Sequence, residues 1–112
     1  MDVKDELKKN IDNFLNSAKL VFDNKDYTSA CILYFKALFV VADYIVLISG
    51  REKPKDHTDR FRILERYFRG IYLEIDRIFY IYRNTYTTSI SKEKCEKVRN
   101  VVKKIMEKYK IE

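Results

Sequence analysis

The feature that most limits the fold of this chain is an apolar stretch from Cys31 to Ile48 that contains two charged residues, Lys36 and Asp43. The two are seven residues apart and therefore share one face of a helix. On a membrane-insertion scale, each large apolar side chain favours the bilayer by about 0.3–0.6 kcal/mol, whereas a central Lys or Asp opposes it by about 2.5–3.5 kcal/mol. Summed over the eleven Leu, Ile, Phe and Val residues of the stretch, the favourable terms nearly cancel the cost of Lys36 and Asp43. Because polar helical sequence flanks the stretch, we predict a buried core helix and no membrane span.

The composition predicts one helical domain over residues 1–112, long enough to bury a core without disulfides. The two cysteines are far apart, and His57 has no second His or Cys at metal-ligand spacing, so neither a metal site nor a cofactor is expected. The start of the chain lacks the apolar segment of a secretory signal, which predicts a cytoplasmic location. Abundant Lys and Ile without any glutamine are typical of a thermophile.

Apolar residues at three- and four-residue steps predict two helices in the first half of the chain. The first begins after an N-cap at Asp2 and ends near Asp23. The second begins after an N-cap at Asp26 and ends near Ser49, with Gly50 in the left-handed conformation common after a helix.

The second half predicts a third helix from Thr58 to about Tyr86, with a kink or break at Gly70, and a last helix capped by Ser91. Residues 79–90 are also rich in β-branched and aromatic residues, which is typical of a hairpin. A lone hairpin has no sheet to join, so we favour the helix. The fold predicted is all-α, an up-and-down four-helix bundle with a kinked or broken third helix.

The net charge of +6 is carried mainly by residues 51–69 and by the last helix. A basic surface at these places allows an anionic partner such as RNA or a nucleotide. A solvated, lysine-rich surface is the alternative, and for the last helix it is the favoured interpretation.

Arg83 and Tyr86 share a helix face and are candidates for binding a phosphate, because a guanidinium can form two parallel hydrogen bonds with it. Neutralisation of Arg83 by Asp76 or Asp43 is the structural alternative. His57 is the one side chain with an ordinary pKa near neutrality, so it is the candidate general base, although capping or orienting the third helix is the commoner role. Lys36 and Asp43 are interpreted as a polar stripe that is paired wherever it is buried.

The order and spacing of several short motifs make the sequence resemble the HEPN domains of archaea and bacteria, which are small four-helix bundles. The residues that carry the resemblance are Asp26, Tyr27, Ala30, Tyr34, Phe35, Lys36, Ala37, Lys55, His57, Tyr82, Arg83, Asn84, Thr85 and Tyr86.

The resemblance implies a homodimer in which the third and fourth helices of two subunits form a cleft for RNA or a nucleotide. It also implies a minimal nucleotidyltransferase as a partner protein, as in toxin–antitoxin pairs. Many members of the family are metal-independent endoribonucleases with an Arg followed, after four to six residues, by a His. Arg83 and Asn84 match the start of that motif, but Thr88, Ser89 and Ile90 occupy the positions where the histidine is expected.

Three hypotheses follow. The first is a dimeric HEPN-like module that binds RNA or a nucleotide through Arg83, Asn84, Tyr86, Lys36 and Asp43 without cleaving it. The second is an atypical ribonuclease that uses Arg83, Tyr86 and His57. The third is a structural helical adaptor. The absent histidine favours the first.

Overall fold

Helices form most of the protein in a computed structural model, which describes residues 2–112, and no strand occurs within that range. The five helices are α1 (Val3–Asp23), α2 (Tyr27–Ile48), α3 (His57–Tyr67), α4 (Arg69–Asn84) and α5 (Lys92–Lys108). The prediction of an all-α fold is confirmed. The Cα radius of gyration is 13.5 Å, close to the value of about 13 Å expected for a compact domain of about 100 residues.

The predicted N-caps are confirmed in α1, α2 and α5, where a side-chain oxygen accepts a hydrogen bond from the backbone N–H three residues later. The acceptors are Asp2 at 2.8 Å, Asp26 at 3.1 Å and Ser91 at 3.2 Å. Gly50 has a φ of 97°, as expected for the residue that follows the end of α2.

Helix α2 contains the apolar stretch and lies at the centre of the protein, where it packs against α1, α3, α4 and α5. Its fully buried side chains include Phe35, Leu38, Val41 and Ile45. Within residues 2–112, α2 is also the one helix long and apolar enough to cross a membrane, although more than half of it is buried inside the protein. Only Lys36 and Ile48 of α2 are exposed, so the chain itself covers most of this helix.

The break in the third predicted helix is at Phe68 and not at Gly70. Phe68 leaves the helical conformation with φ −137° and ψ 56°, and this divides the segment into α3 and α4. Its N–H still bonds to Leu64, and its carbonyl accepts from Tyr72, so both helix ends keep hydrogen bonds. Gly70 lies in the first turn of α4, where an added Cβ would meet only the end of Lys108 at 3.7 Å. Glycine is therefore not what interrupts the helix.

Two other boundaries differ slightly from the prediction. Helix α3 begins at His57, one residue early, because the carboxylate of Asp56 accepts from the N–H of Asp59 at 2.8 Å and caps it. Helix α4 ends at Asn84, and the residues after it form turns. The hairpin alternative is excluded.

Candidate functional site

Asp43 is the one charged side chain that is buried in residues 2–112, and its partner is Arg60 of α3. The Arg60 Nε donates to Asp43 Oδ1 at 2.7 Å, and Nη2 donates to Oδ2 at 2.9 Å. This two-point contact satisfies both carboxylate oxygens, as a buried charge requires. The expectation that a buried Asp43 is paired is confirmed, but the partner is Arg60 and neither Lys36 nor Arg83.

Arg60 also contacts His57, since its third nitrogen, Nη1, lies 2.6 Å from His57 Nδ1. Guanidinium nitrogens only donate, so Nδ1 accepts and the proton of the neutral ring is on Nε2. Partial burial, and then the adjacent Arg60, hold the pKa of His57 below its ordinary value. His57 is therefore a neutral ring at pH 7 whose remaining polar atom, Nε2–H, is a hydrogen-bond donor.

Aromatic rings pack around the hydrogen-bonded series Asp43–Arg60–His57. The His57 ring packs edge-on against Phe39 with centroids 4.9 Å apart, and Tyr82 of α4 lies 5.4 Å from Phe39 in a similar geometry. The fold thus brings the start of α3 next to the end of α4. The hydroxyls of Tyr82 and Tyr86 are 3.3 Å apart.

These residues line an open pocket of about 230 Å³, which we call the Lys36 pocket; it is lined by Phe14, Lys36, Phe39, Val40, His57, Arg60 and Tyr82. Its free donors are the ammonium of Lys36 and Nε2–H of His57. The hydrogen bond with Tyr86, and then burial, raise the pKa of Tyr82, so its hydroxyl is protonated at neutral pH and donates its single proton to Tyr86. The lining of the pocket therefore combines hydrogen-bond donors with apolar side chains.

The free positive charge of the Lys36 pocket comes from Lys36. The charge of Arg60 is neutralised by Asp43, His57 is uncharged, and Lys36 is exposed without an ion pair to any residue in the range 2–112. Donors with one uncompensated cation form a site for an anion such as a phosphate group. Both carboxylate oxygens of Asp43 are occupied by Arg60. Asp43 therefore contributes to the Lys36 pocket by holding Arg60 in position.

Arg83 lies outside the Lys36 pocket, on the exposed surface of α4 beside it. Its Cζ is 5.6 Å from the centroid of the Phe79 ring, and within the described chain it pairs with neither Asp76 nor Asp43. Asn84 ends the same helix, and Tyr86 is 75% exposed in the following turn. Of the predicted site residues, the structure brings together Lys36, His57 and, through Tyr82, Tyr86. Arg83 and Asn84 do not line the pocket.

Arg60 is the site residue that sequence reasoning missed. Two signals pointed to it: a buried Asp43 needs a cation, and Arg60 follows His57 by three residues, so the two share a face of α3. The basic segment 51–69 supplies several arginines, however, and their spacing does not distinguish the one that turns inwards.

No three His, Cys, Asp or Glu side chains in residues 2–112 are placed to hold a metal ion. No protein-family model, curated protein or solved structure matches the chain significantly.

Proposed function

We propose that this protein is a HEPN-like module that binds RNA or a nucleotide through a phosphate group, without cleaving it. The observation that carries the proposal is the Lys36 pocket, in which the unpaired ammonium of Lys36 and the Nε2–H donor of His57 line one open volume. A phosphate oxygen accepts from such donors, and Phe14 and Phe39 offer apolar contact to a base. Exposed Tyr86 and Arg83 extend this surface along the nucleic acid.

Binding is favoured over cleavage because of the tautomer of His57. A general base on this ring needs a nitrogen that is free to take a proton, yet Nδ1 already accepts from Arg60 and Nε2 carries the ring proton. His57 therefore suits hydrogen bonding to a ligand better than proton abstraction.

We also propose that the helices form the up-and-down four-helix arrangement of HEPN domains. If α3 and α4 count as one helix interrupted at Phe68, the chain has the four long segments of an up-and-down HEPN bundle. A homodimer, a cytoplasmic location and a minimal nucleotidyltransferase partner of toxin–antitoxin type belong to the same proposal.

The test is titration of a labelled single-stranded RNA of about 12 nucleotides, and of ATP, with the full chain at several salt concentrations. We expect salt-dependent binding, and replacement of Lys36 by Ala should weaken it and lower the salt slope by about one. Arg83→Ala should have a smaller effect of the same kind, and Arg83→Lys should restore part of it. Lys9→Ala, an exposed lysine of α1, is the matched control and should change nothing.

Loss of binding by Lys9→Ala as much as by Lys36→Ala would reduce the interaction to general charge attraction and favour the adaptor hypothesis. RNA cleavage that persists in a chelator and disappears in both Arg83→Ala and His57→Gln would instead establish the ribonuclease hypothesis.

Sedimentation at micromolar concentration tests the dimer. The apolar surface of α2 is mostly covered by the chain itself, so the candidates for a dimer contact are exposed apolar residues elsewhere, including Leu73 and Tyr80 of α4. We expect twice the monomer mass of 13.5 kDa. A monomer that still binds RNA would remove the two-subunit cleft but leave the Lys36 pocket.

A further inference from the structure

A second groove runs between α1 and α5, over the middle of α2. The backbone of α1 approaches only that of α2, so α1 and α5 flank α2 and meet each other only through side chains, such as Phe22 and Arg99. The space between them is about 260 Å³ and has Tyr34 at its floor, with Val102 and Met106 on the α5 side. We call it the Tyr34 groove; it also contains Lys19, Arg99 and Lys103.

Arg99 in this groove has a hydrogen-bond donor without an acceptor. Its Nη2 donates to Glu96 at 3.2 Å, and its Cζ lies 4.7 Å from the centroid of the Phe22 ring. Its Nε is buried and has no partner among residues 2–112. Native proteins leave few buried donors unsatisfied, because each one loses its hydrogen bond to water.

Tyr34 adds a second donor at the floor of the groove. The ring is 5% exposed. Burial raises the pKa of Tyr34, and the nearby Arg99 opposes that rise without cancelling it. The hydroxyl is therefore protonated at neutral pH and can donate to a ligand.

The charges of the Tyr34 groove leave one positive charge uncompensated. Lys19 pairs with Asp23, and Arg99 pairs with Glu96. Lys103 is exposed and forms no ion pair within the described residues. A carboxylate carries one negative charge, which matches this single cation, and the apolar side chains of Val102 and Met106 suit a ligand with an aliphatic body.

We infer that the Tyr34 groove binds a small organic carboxylate with an aliphatic body. Lys103 and the Tyr34 hydroxyl hold the carboxylate, and the aliphatic chain lies against Val102 and the adaptable side chain of Met106. The Nε of Arg99 gains its missing acceptor when the guanidinium turns towards the ligand. The groove is smaller than the roughly 300–1,000 Å³ typical of drug-sized ligands, which limits the body to a short chain.

The experiment is a titration of the isotope-labelled full chain with hexanoate, acetate and 1-hexanol, followed by amide chemical shifts. Hexanoate should saturate with shifts centred on α1 and α5. Acetate and 1-hexanol should each bind about tenfold more weakly or worse, because acetate lacks the apolar body and hexanol lacks the charge. Tyr34→Phe and Lys103→Gln should each weaken hexanoate binding by about threefold or more.

Two controls make the outcome decisive. Lys9→Gln, an exposed lysine outside the groove, should leave hexanoate binding unchanged, and so should Lys36→Ala, which alters the other pocket. Thermal melts of Tyr34→Phe and Lys103→Gln should show that both variants are folded. The inference is overturned if hexanoate does not saturate, if 1-hexanol or inorganic phosphate binds as well as hexanoate, or if folded Tyr34→Phe and Lys103→Gln bind it normally.

Discussion

Arg60 and Arg99 are both partly buried arginines that lie over an aromatic ring, yet their hydrogen bonding differs. Arg60 uses three nitrogens, two on Asp43 and one on His57, and its side chain is 12% exposed. Arg99 makes one bond to Glu96, its Nε has no acceptor, and its side chain is 26% exposed. A fully bonded arginine fixes the geometry around it, whereas an incompletely bonded one retains capacity for a ligand.

The largest effect should come from replacing Arg60 by Met, which keeps much of the side-chain length but removes the charge. Asp43 would then be a buried carboxylate without a partner, and such changes cost about 3–5 kcal/mol. Chemical denaturation of wild type and variant measures the loss. A loss below about 1 kcal/mol would show that Asp43 becomes solvated without Arg60.

The double variant Asp43→Leu with Arg60→Met should be more stable than Arg60→Met alone, because it leaves no unpaired charge in the core. The Arg60→Met substitution also removes the guanidinium that hydrogen-bonds to His57 Nδ1, so the double variant tests whether this bond positions His57. Ligand binding at the Lys36 pocket should therefore weaken in the double variant even where stability recovers.

The parts of the fold that could be predicted from the sequence are those with local signals. Apolar spacing and caps such as Asp2, Asp26 and Ser91 are local signals, and they predicted the helices within a residue or two. The break at Phe68 was assigned to Gly70, because glycine is the usual local signal and the conformation of Phe68 has none.

The candidate site was predicted less well for a related reason. The burial of Asp43 follows from its apolar neighbours and requires a cation. The choice of that cation depends on how the loop after α2 returns α3 across it, over a sequence separation of 17 residues. Lys36 fits the helical spacing but faces outwards, and only the tertiary fold selects Arg60.

A smaller effect is expected from acidification. Because the pKa of His57 is below its unfolded value of about 6.5, the unfolded chain binds the extra proton first as the pH falls, and stability is lost below about pH 6.5. Protonation also converts Nδ1 into a donor that faces the donor of Arg60. The melting temperature should fall between pH 7 and pH 5.5, and it should fall less in His57→Gln. An equal fall in both proteins would assign the effect to other groups.

The smallest effect should come from Arg99→Met, which repeats the Arg60 substitution at the second site. The pair with Glu96 is partly exposed and is worth at most about 1 kcal/mol, and removing the guanidinium also removes the buried Nε that has no acceptor. The loss of contact between the cation and the Phe22 ring acts in the opposite direction, and the methionine chain keeps much of the packing. We expect denaturation to place Arg99→Met within about 1 kcal/mol of the wild type. If Arg99→Met instead destabilised the protein as much as Arg60→Met, Arg99 would be a structural residue like Arg60, and the distinction between the two arginines would be wrong.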